Sequence, residues 1–216
     1  MSLSQNRQCP LCFSAENSER FQDKARKYYL CARCELLFVD PNDFLSPSEE
    51  KAEYDLHQNS PSDLRYRRFL EQMLTPMVER IPVKSKGLDF GSGPGPTLSV
   101  MFEELGHTMS IYDCFYANDP SIYEQTYQFI TATEVVEHLH HPRQELERLW
   151  SCLQPGGFLG IMTQLWSEQT SFANWRYKDD MTHVCFFSST SFQWLAKLWG
   201  GTLHLIDRNV RILEKH

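Results

Sequence analysis

Four residues in the second half of the chain have types and spacings that suit metal or acid–base chemistry. Glu134, Glu137 and His138 stand at positions i, i+3 and i+4, so on a helix their side chains would project from one face. Two carboxylates and an imidazole that converge favour a hard-to-borderline divalent cation. His183 is the candidate for a further ligand or for a metal-free general base, a role that suits an imidazole near neutral pH. The alternative is that Glu134 only faces a cofactor and His138 only packs against a loop.

Four of the seven cysteines form two Cys-x-x-Cys pairs near the N-terminus, with 18 residues between the pairs. Each pair offers two thiolates from one tight turn, and two such turns close a tetrahedron around zinc. Residues 27–30 and 36–39 are typical of strands flanking the second pair, as in a zinc ribbon. Four buried or redox thiols are the alternative. A site with four cysteine ligands leaves no open position, so we predict a structural zinc at Cys9, Cys12, Cys31 and Cys34.

A glycine-rich turn lies between a short apolar run and a helical stretch. Residues 88–95 read Leu-Asp-Phe-Gly-Ser-Gly-Pro-Gly, with glycine at alternate positions. Glycine tolerates positive φ and has no side chain, so a ligand can approach the backbone of such a turn closely. A second strand at residues 107–112 ends at Asp113, about 20 residues after the turn. A carboxylate in that place can accept both hydroxyls of a ribose.

The elements that would position these residues alternate between strand and helix. From residue 87 to residue 160, the alternation predicts right-handed βαβ units and therefore an α/β fold with a mostly parallel sheet. Ligands of such sheets bind at the carboxyl ends of the strands, where the glycine turn, Asp113 and Glu134 fall. A third strand is only weakly indicated between residues 117 and 127. Residues 202–213 are predicted to form a hairpin, which is the last element of the fold.

These motifs resemble those of the class I S-adenosylmethionine-dependent methyltransferases. Asp89-x-Gly91-x-Gly93-x-Gly95 is similar to their first motif and Asp113 to their ribose-binding acid. Residues 131–139 and 153–159 resemble the segments after their fourth strand and before their fifth, and Gln128 departs from the usual Asp. The resemblance spans residues 50–216 and implies a doubly wound sheet of seven strands. It also implies S-adenosylmethionine as cofactor, bound by Asp89, Gly91, Ser92, Gly93, Gly95, Asp113 and Glu134.

A second, narrower resemblance concerns the segment that contains Glu134. Glu-x-x-Glu-His followed tens of residues later by a lone His is similar to the metal site of the small-RNA 3′-terminal 2′-O-methyltransferases. It also resembles the corresponding segment of the ubiquinone-biosynthesis O-methyltransferases. In those families the cation holds hydroxyl oxygens of the substrate and lowers the pKa of a hydroxyl. The resemblance implies a second divalent cation and catalytic roles for His183, Glu137 and His138.

Helices and a long loop are expected to enclose the site. Residues 62–80 carry a broken apolar stripe that Pro76 would kink or interrupt. By the resemblance, this helix and the acidic stretch before it cover the cofactor, with Tyr54 and His57 as candidate lid residues. The loop at residues 164–185 is rich in aromatic residues, which favours an ordered loop. We predict a zinc ribbon at residues 1–40, a linker with covering helices at 41–85 and a methyltransferase domain at 86–216.

Amino-acid composition and charge limit where the protein is expected in the cell and which partners it is expected to bind. Hydrophobic residues make up 41% of the chain and charged residues 23%, as is typical of globular proteins in water. No apolar run approaches the roughly 20 residues of a membrane helix, and the start lacks a signal-peptide pattern, so a cytoplasmic location without membrane contact is expected. Residues 1–40 carry six Lys and Arg against five Asp and Glu, whereas the remainder carries 15 against 23. This acidity disfavours duplex DNA.

The predicted function is methyl transfer to an oxygen, rather than a nitrogen or carbon, of a small-molecule acceptor more readily than of RNA or protein. A nucleotide-dependent oxidoreductase on the same sheet is one alternative, which the Gly-x-Gly-x-Gly spacing disfavours. A zinc-ribbon recruitment protein with an inactive methyltransferase fold is the other, and the intact glycine turn and Asp113 argue against it.

Overall fold

The computed structural model describes residues 7–56 and 59–216. The strands, in chain order, are β1 Asn17–Gln22, β2 Lys27–Cys31, β3 Leu37–Val39, β4 Lys86–Phe90, β5 Thr108–Tyr112, β6 Tyr127–Thr133, β7 Leu153–Met162, β8 Cys185–Phe186, β9 Thr202–Leu205 and β10 Val210–Glu214. The helices are α1 Pro47–Tyr54, α2 Leu64–Val78, α3 Thr97–Glu104, α4 Pro142–Cys152 and α5 Ser189–Trp199.

The larger sheet has the strand order β5-β4-β6-β7-β10-β9. The first four strands are parallel, and β10 runs antiparallel to both β7 and β9. The predicted doubly wound, mostly parallel α/β fold is confirmed, as is the closing hairpin. Six strands take part among the described residues, however, where seven were expected.

The missing strand is the third, which the sequence marked only weakly. Pro120–Glu124 forms a 3-10 turn instead of a strand. Pro120 has no amide hydrogen to give to a sheet, and the side chain of Asp119 accepts a hydrogen bond from the Ser121 amide at 3.0 Å. Both features favour the start of a helical turn over an extended chain.

Apolar side chains cover both faces of this sheet. Along β6, Phe129 belongs to a cluster with residues of α2 and α3, whereas its neighbour Ile130 belongs to a cluster with residues of α4. Successive side chains of a strand point to opposite faces, so helices bury both sides. Helix α2 continues through Pro76, which lies in its last turn. Pro76 therefore does not end the helix, although it has no amide hydrogen to donate to the carbonyl four residues earlier. In the described part of the chain, no helix has the length and apolarity needed to cross a membrane.

A smaller antiparallel sheet has the order β1-β2-β3-β8. Its first three strands lie where the zinc ribbon was predicted, and β8 comes from the far end of the aromatic loop. Leu37 pairs with Phe186 and Phe38 with Cys185 across β3 and β8. The ribbon and the segment after the loop thus share one sheet and one hydrophobic core.

Candidate active site and zinc centre

The glycine turn has the backbone shape that its sequence predicts. Gly91 and Gly93 have positive φ values of 75° and 64°. A Cβ atom on Gly91 would lie 2.7 Å from Val135 Cγ1 and closer still to Cγ2, so only glycine fits against the segment that follows β6. Gly95 is equally confined, because a Cβ atom there would collide with the carbonyl group of Asn59.

Asp113 lies beside this turn at the end of β5. Its Oδ2 accepts a hydrogen bond from the Gly93 amide at 2.9 Å. Its Oδ1 accepts hydrogen bonds from the amides of Phe115 at 2.9 Å and Tyr116 at 3.1 Å. The carboxylate is thus fixed in orientation at the predicted cofactor site, with an exposed fraction of 9%.

Asp89 lies behind the glycine turn. Thr131 donates a hydrogen bond to its Oδ1 at 3.0 Å, and Ser99 lies 3.5 Å from its Oδ2. Burial raises the pKa of Asp89 to about 6. Asp89 and Gly95 are not among the residues that line the adjacent cavity, so they shape the turn from behind.

A cavity of about 620 Å³ joins the glycine turn to the histidines. Gly91, Ser92, Gly93, Asp113, Glu134, His138 and His183 all line it. Ser92 Oγ and Thr133 Oγ1 are buried hydroxyls without a hydrogen-bond partner in the described chain, and both residues belong to this lining. Buried polar groups are normally satisfied, so these hydroxyls indicate that a polar ligand belongs here.

The segment after β6 is not the helix that the sequence predicted. Glu134 has a left-handed backbone with φ 53°, and its amide donates to the Met162 carbonyl at 2.8 Å. Only Val136–His138 forms a single 3-10 turn, and the next α-helix begins at Pro142. The prediction of one helical face for Glu134, Glu137 and His138 is therefore wrong, because the left-handed residue interrupts the helical path.

Tertiary structure nevertheless brings three of the four predicted residues together. Ligand atoms of Glu137, His138 and His183 lie within 4.8 Å of one another. Glu134 is outside this cluster, and its carboxylate lies 3.5 Å from the hydroxyl of Tyr177. A separation compatible with a shared coordination shell is thus present for two imidazoles and one carboxylate.

Glu137 is fully buried at the base of this cluster. Tyr177 donates its hydroxyl hydrogen to Glu137 Oε1, whereas Oε2 has no partner in the described chain. Burial raises the pKa of Glu137. Burial and the nearby charge of Glu137 also raise the pKa of Glu134, to about 8. Both carboxyl groups therefore hold their protons more strongly than usual unless a positive charge lies beside them.

In each of the two histidines, the Nδ1 atom faces a backbone carbonyl. His183 Nδ1 lies 2.6 Å from the carbonyl oxygen of Tyr177, and His138 Nδ1 lies 3.3 Å from that of Thr182. A carbonyl can only accept, so in each neutral imidazole Nδ1 carries the hydrogen and Nε2 keeps a lone pair. This arrangement is usual for metal-ligating histidines, and it also suits a general base.

Tyr177 is the residue that the sequence did not assign. It belongs to the aromatic residues of the long loop, but nothing near it in the sequence marks its contact with Glu137. Within that loop, 3-10 turns span Phe172–Asn174 and Arg176–Asp179. Of the two candidate lid residues, Tyr54 lines the cavity, with its ring centroid 5.3 Å from that of His138. His57 lies outside the described residues.

The four N-terminal cysteines form a second, separate cluster. All are buried, with Cys9 Sγ 3.6 Å from Cys34 Sγ and Cys12 Sγ 3.4 Å from Cys31 Sγ. A tetrahedral zinc with bonds of about 2.3 Å requires sulfurs about 3.8 Å apart, so the four thiols fit this ion.

The two cysteine pairs also share one backbone design. The residue after each pair, Phe13 or Glu35, has a positive φ of 57° or 52°. The amides of Cys9 and Cys31 donate to the carbonyls of Ser14 and Leu36 at 2.9 Å and 3.0 Å. Two equivalent turns that face each other are what a four-cysteine zinc centre needs.

The doubly wound sheet, with a glycine turn and a fixed carboxylate at its carboxyl edge, defines a methyltransferase-like fold. The family model of the methyltransferase domain matches residues 62–204, and the chain belongs to this family. The enzyme class predicted from the motifs is thereby confirmed. No curated protein sequence is similar enough to the chain to count as a match.

Solved structures resemble the chain at low identity. An O-methyltransferase family protein from Burkholderia thailandensis aligns over 77% of this chain and 62% of its own, with a TM-score of 0.50 and 13% identity. CalO1, a methyltransferase in calicheamicin biosynthesis with bound SAH, aligns over 78% and 58%, with a TM-score of 0.50 and 11% identity. The 1,6-didemethyltoxoflavin-N1-methyltransferase of B. thailandensis aligns over 91% and 98%, with a TM-score of 0.47 and 14% identity. At these identities the likeness concerns the fold alone.

Proposed function

We propose that the protein transfers a methyl group from S-adenosylmethionine to a hydroxyl oxygen of a small acceptor, with a divalent cation at Glu137, His138 and His183. The observation that carries this proposal is the shared cavity, which is lined by the glycine turn and Asp113 as well as by His138 and His183. The glycine turn and Asp113 form a first group of residues, which would hold the cofactor. His138 and His183 belong to a second group, which would hold the acceptor beside it.

The first group of residues fits S-adenosylmethionine. The bare backbone of Gly91 and Gly93 leaves room for close approach, and Asp113 would accept hydrogen bonds from the ribose hydroxyls. The unpartnered hydroxyls of Ser92 and Thr133 would contact polar atoms of the same ligand. When bound, this cofactor supplies an electrophilic methyl group on a sulfonium.

The second group of residues would hold and activate the acceptor. Two imidazoles whose Nδ1 atoms face carbonyls, together with a carboxylate oxygen that lacks a partner, form a donor set for a divalent cation. Three protein ligands leave coordination positions open, and a bound cation would supply Lewis acidity toward a hydroxyl. The chain's own part is to fix the imidazoles through Tyr177 and Thr182 and to exclude water from Glu137.

The charge of the cavity supports a small acceptor without phosphate groups. Glu50, Asp113, Glu145 and Asp180 line it, whereas no Lys or Arg does so among the described residues. Recognition of phosphate groups normally uses Arg or Lys, and RNA carries one at every nucleotide. An uncharged or cationic acceptor therefore fits this lining better than RNA.

Binding and transfer test the proposal separately. Calorimetry with S-adenosylhomocysteine should give a saturable signal that Asp113→Asn weakens about ten-fold or more, because charge-assisted hydrogen bonds are lost. Asp119→Asn is the matched control, since Asp119 caps an exposed turn away from the cavity. Transfer from radiolabelled S-adenosylmethionine should label the small-molecule fraction of a cell extract. Label confined to RNA or protein would contradict the acceptor class, and binding without any transfer would favour the recruitment-protein alternative.

A further inference from the structure

Arg26 connects the zinc ribbon to the loop that carries the candidate catalytic residues. It lies in the turn between β1 and β2, and only 2% of it is exposed. Its Nη1 donates to the carbonyl oxygens of Asp180 and Met181 at 3.2 Å and of His183 at 3.0 Å. Its Nη2 donates to the carbonyl oxygen of Lys178.

This guanidinium is bound almost entirely by backbone. Within the described residues Arg26 forms no ion pair with a carboxylate, although its guanidinium carbon lies 5.3 Å from the centre of the Tyr28 ring. A buried cation is costly unless it is hydrogen-bonded, and here carbonyl oxygens satisfy Nη1 and Nη2, whereas Nε has no partner among the described residues. Residues 178–183 are therefore wrapped around one planar group, which fixes the directions of their peptide planes.

The same loop sets the geometry of both histidines. The Tyr177 carbonyl that faces His183 Nδ1 directly precedes the first carbonyl bound by Arg26. The Thr182 carbonyl that faces His138 Nδ1 lies between the peptide groups of Met181 and His183, whose carbonyls Arg26 also binds. Movement of this loop would therefore change the orientation of both imidazoles.

We infer that Arg26 is a positioning residue for methyl transfer, through which the zinc ribbon holds Tyr177, His138 and His183 in their reactive geometry. This inference rests on the function proposed above. No residue between 7 and 39 lines the cavity, so the ribbon acts on the reaction only through such contacts. The hydrogen bonds of the Arg26 guanidinium go to the loop and not to the glycine turn or Asp113, so we expect cofactor binding to be independent of Arg26.

The test compares Arg26→Met and Arg26→Lys with Arg20→Met as the matched control. Arg20 is a half-exposed arginine of the same ribbon, whose nearest acid, Glu168, is 3.7 Å away. In Arg26→Met, kcat should fall about 100-fold, the effect of a misplacement of about 1 Å in a catalytic group. Zinc content and the Kd for S-adenosylhomocysteine should stay at the wild-type values. Arg26→Lys should recover part of kcat, because an ammonium keeps the charge but cannot reach every carbonyl.

Hydrogen exchange gives a readout that does not depend on activity. The amides of His183 and Val184, which donate to Asp180 and Glu137, should exchange faster in Arg26→Met than in wild type or Arg20→Met. Unchanged kcat together with unchanged exchange in Arg26→Met would overturn the inference while leaving methyl transfer intact. A wild-type protein that transfers no methyl group would instead refute the proposed function, and the exchange rates would still decide the role of Arg26. If Arg26→Met fails to retain zinc, kcat and amide exchange are compared between Arg26→Lys and Arg20→Met instead. A lower kcat and faster exchange in Arg26→Lys would support the positioning role of Arg26, and equal values would overturn it.

Discussion

The amide nitrogen of Val184 lies 2.8 Å from the carbonyl oxygen of Glu137. This hydrogen bond joins the turn after β6 to the end of the aromatic loop, two segments that are distant in the sequence. It places His183 next to His138, with ring centroids 4.6 Å apart. The candidate metal site therefore exists only when the loop is docked, and the docking involves both the sheet and the zinc ribbon.

Gly91→Ala should impair both folding and cofactor binding. Its positive φ costs an alanine about 1–2 kcal/mol, and the added methyl group would collide with Val135. Gly106→Ala is the control, because Gly106 has a φ of 86° but nothing within 4 Å of its Cβ position. Urea unfolding should show a larger loss of stability for Gly91→Ala, and calorimetry a lower affinity for S-adenosylhomocysteine. Equal losses in the two variants would show that the contact with Val135 is unimportant.

Cys31→Ser should release the structural zinc. Elemental analysis of the wild type should find one tightly held zinc per chain, and the variant should lose it together with the order of the ribbon. S-adenosylhomocysteine should still bind, because no ribbon residue lines the cavity, but methyl transfer should fall as the contacts of Arg26 are lost. Cys114→Ser, which changes an exposed cysteine, should keep its zinc. A metal-free native wild type would refute the zinc assignment.

Mild chelation should abolish transfer and spare the four-cysteine zinc. A cation bound by Glu137, His138 and His183 has open positions and exchanges readily, so Mg²⁺, Mn²⁺ or Zn²⁺ should restore the rate. His183→Ala should remove both the activity and its rescue by metal. His204→Ala should not, because His204 lies on β9 and pairs with Glu214 at 2.9 Å. If the chelator does not change the transfer rate but His183→Ala abolishes it, His183 acts as a general base without a metal.

Asp89 should make the wild type less stable as the pH rises from about 4 to about 6. Its pKa is raised by burial to about 6 in the folded chain, so the folded state binds its proton more tightly than the unfolded state. The resulting stabilisation is complete below the unfolded pKa of about 3.9 and is lost as the pH passes the folded value, a change of about 3 kcal/mol.

Asp89→Asn should remove this dependence, since an amide keeps the shape but does not titrate. The free energies of unfolding in urea, measured for wild type and variant at several pH values, give the difference directly. Asp119→Asn is the control. Hydrogen bonds from Ser121 lower the pKa of the Asp119 carboxyl, so its contribution to stability should rise with pH, opposite to that of Asp89. Parallel pH curves for wild type and Asp89→Asn would contradict the prediction.

The local features of both sites could be predicted from the sequence. The glycines at alternate positions and the acid after the second strand predicted the turn at β4 and the position of Asp113, because these depend on short-range backbone preferences. The spacing of the four cysteines likewise predicted two facing turns, since each Cys-x-x-Cys pair folds locally. The weakness of the third strand was visible as well, and Pro120 explains why a turn forms there.

Only the tertiary structure decided which residues meet. The spacing of Glu134, Glu137 and His138 predicted a common helical face, but a left-handed residue interrupts the chain and His183 arrives from another segment. The contacts of Tyr177 with Glu137 and of Arg26 with the loop carbonyls join residues far apart in the chain. Such contacts leave no periodic pattern in the sequence, because they form only when the ribbon, the loop and the sheet pack together into one core.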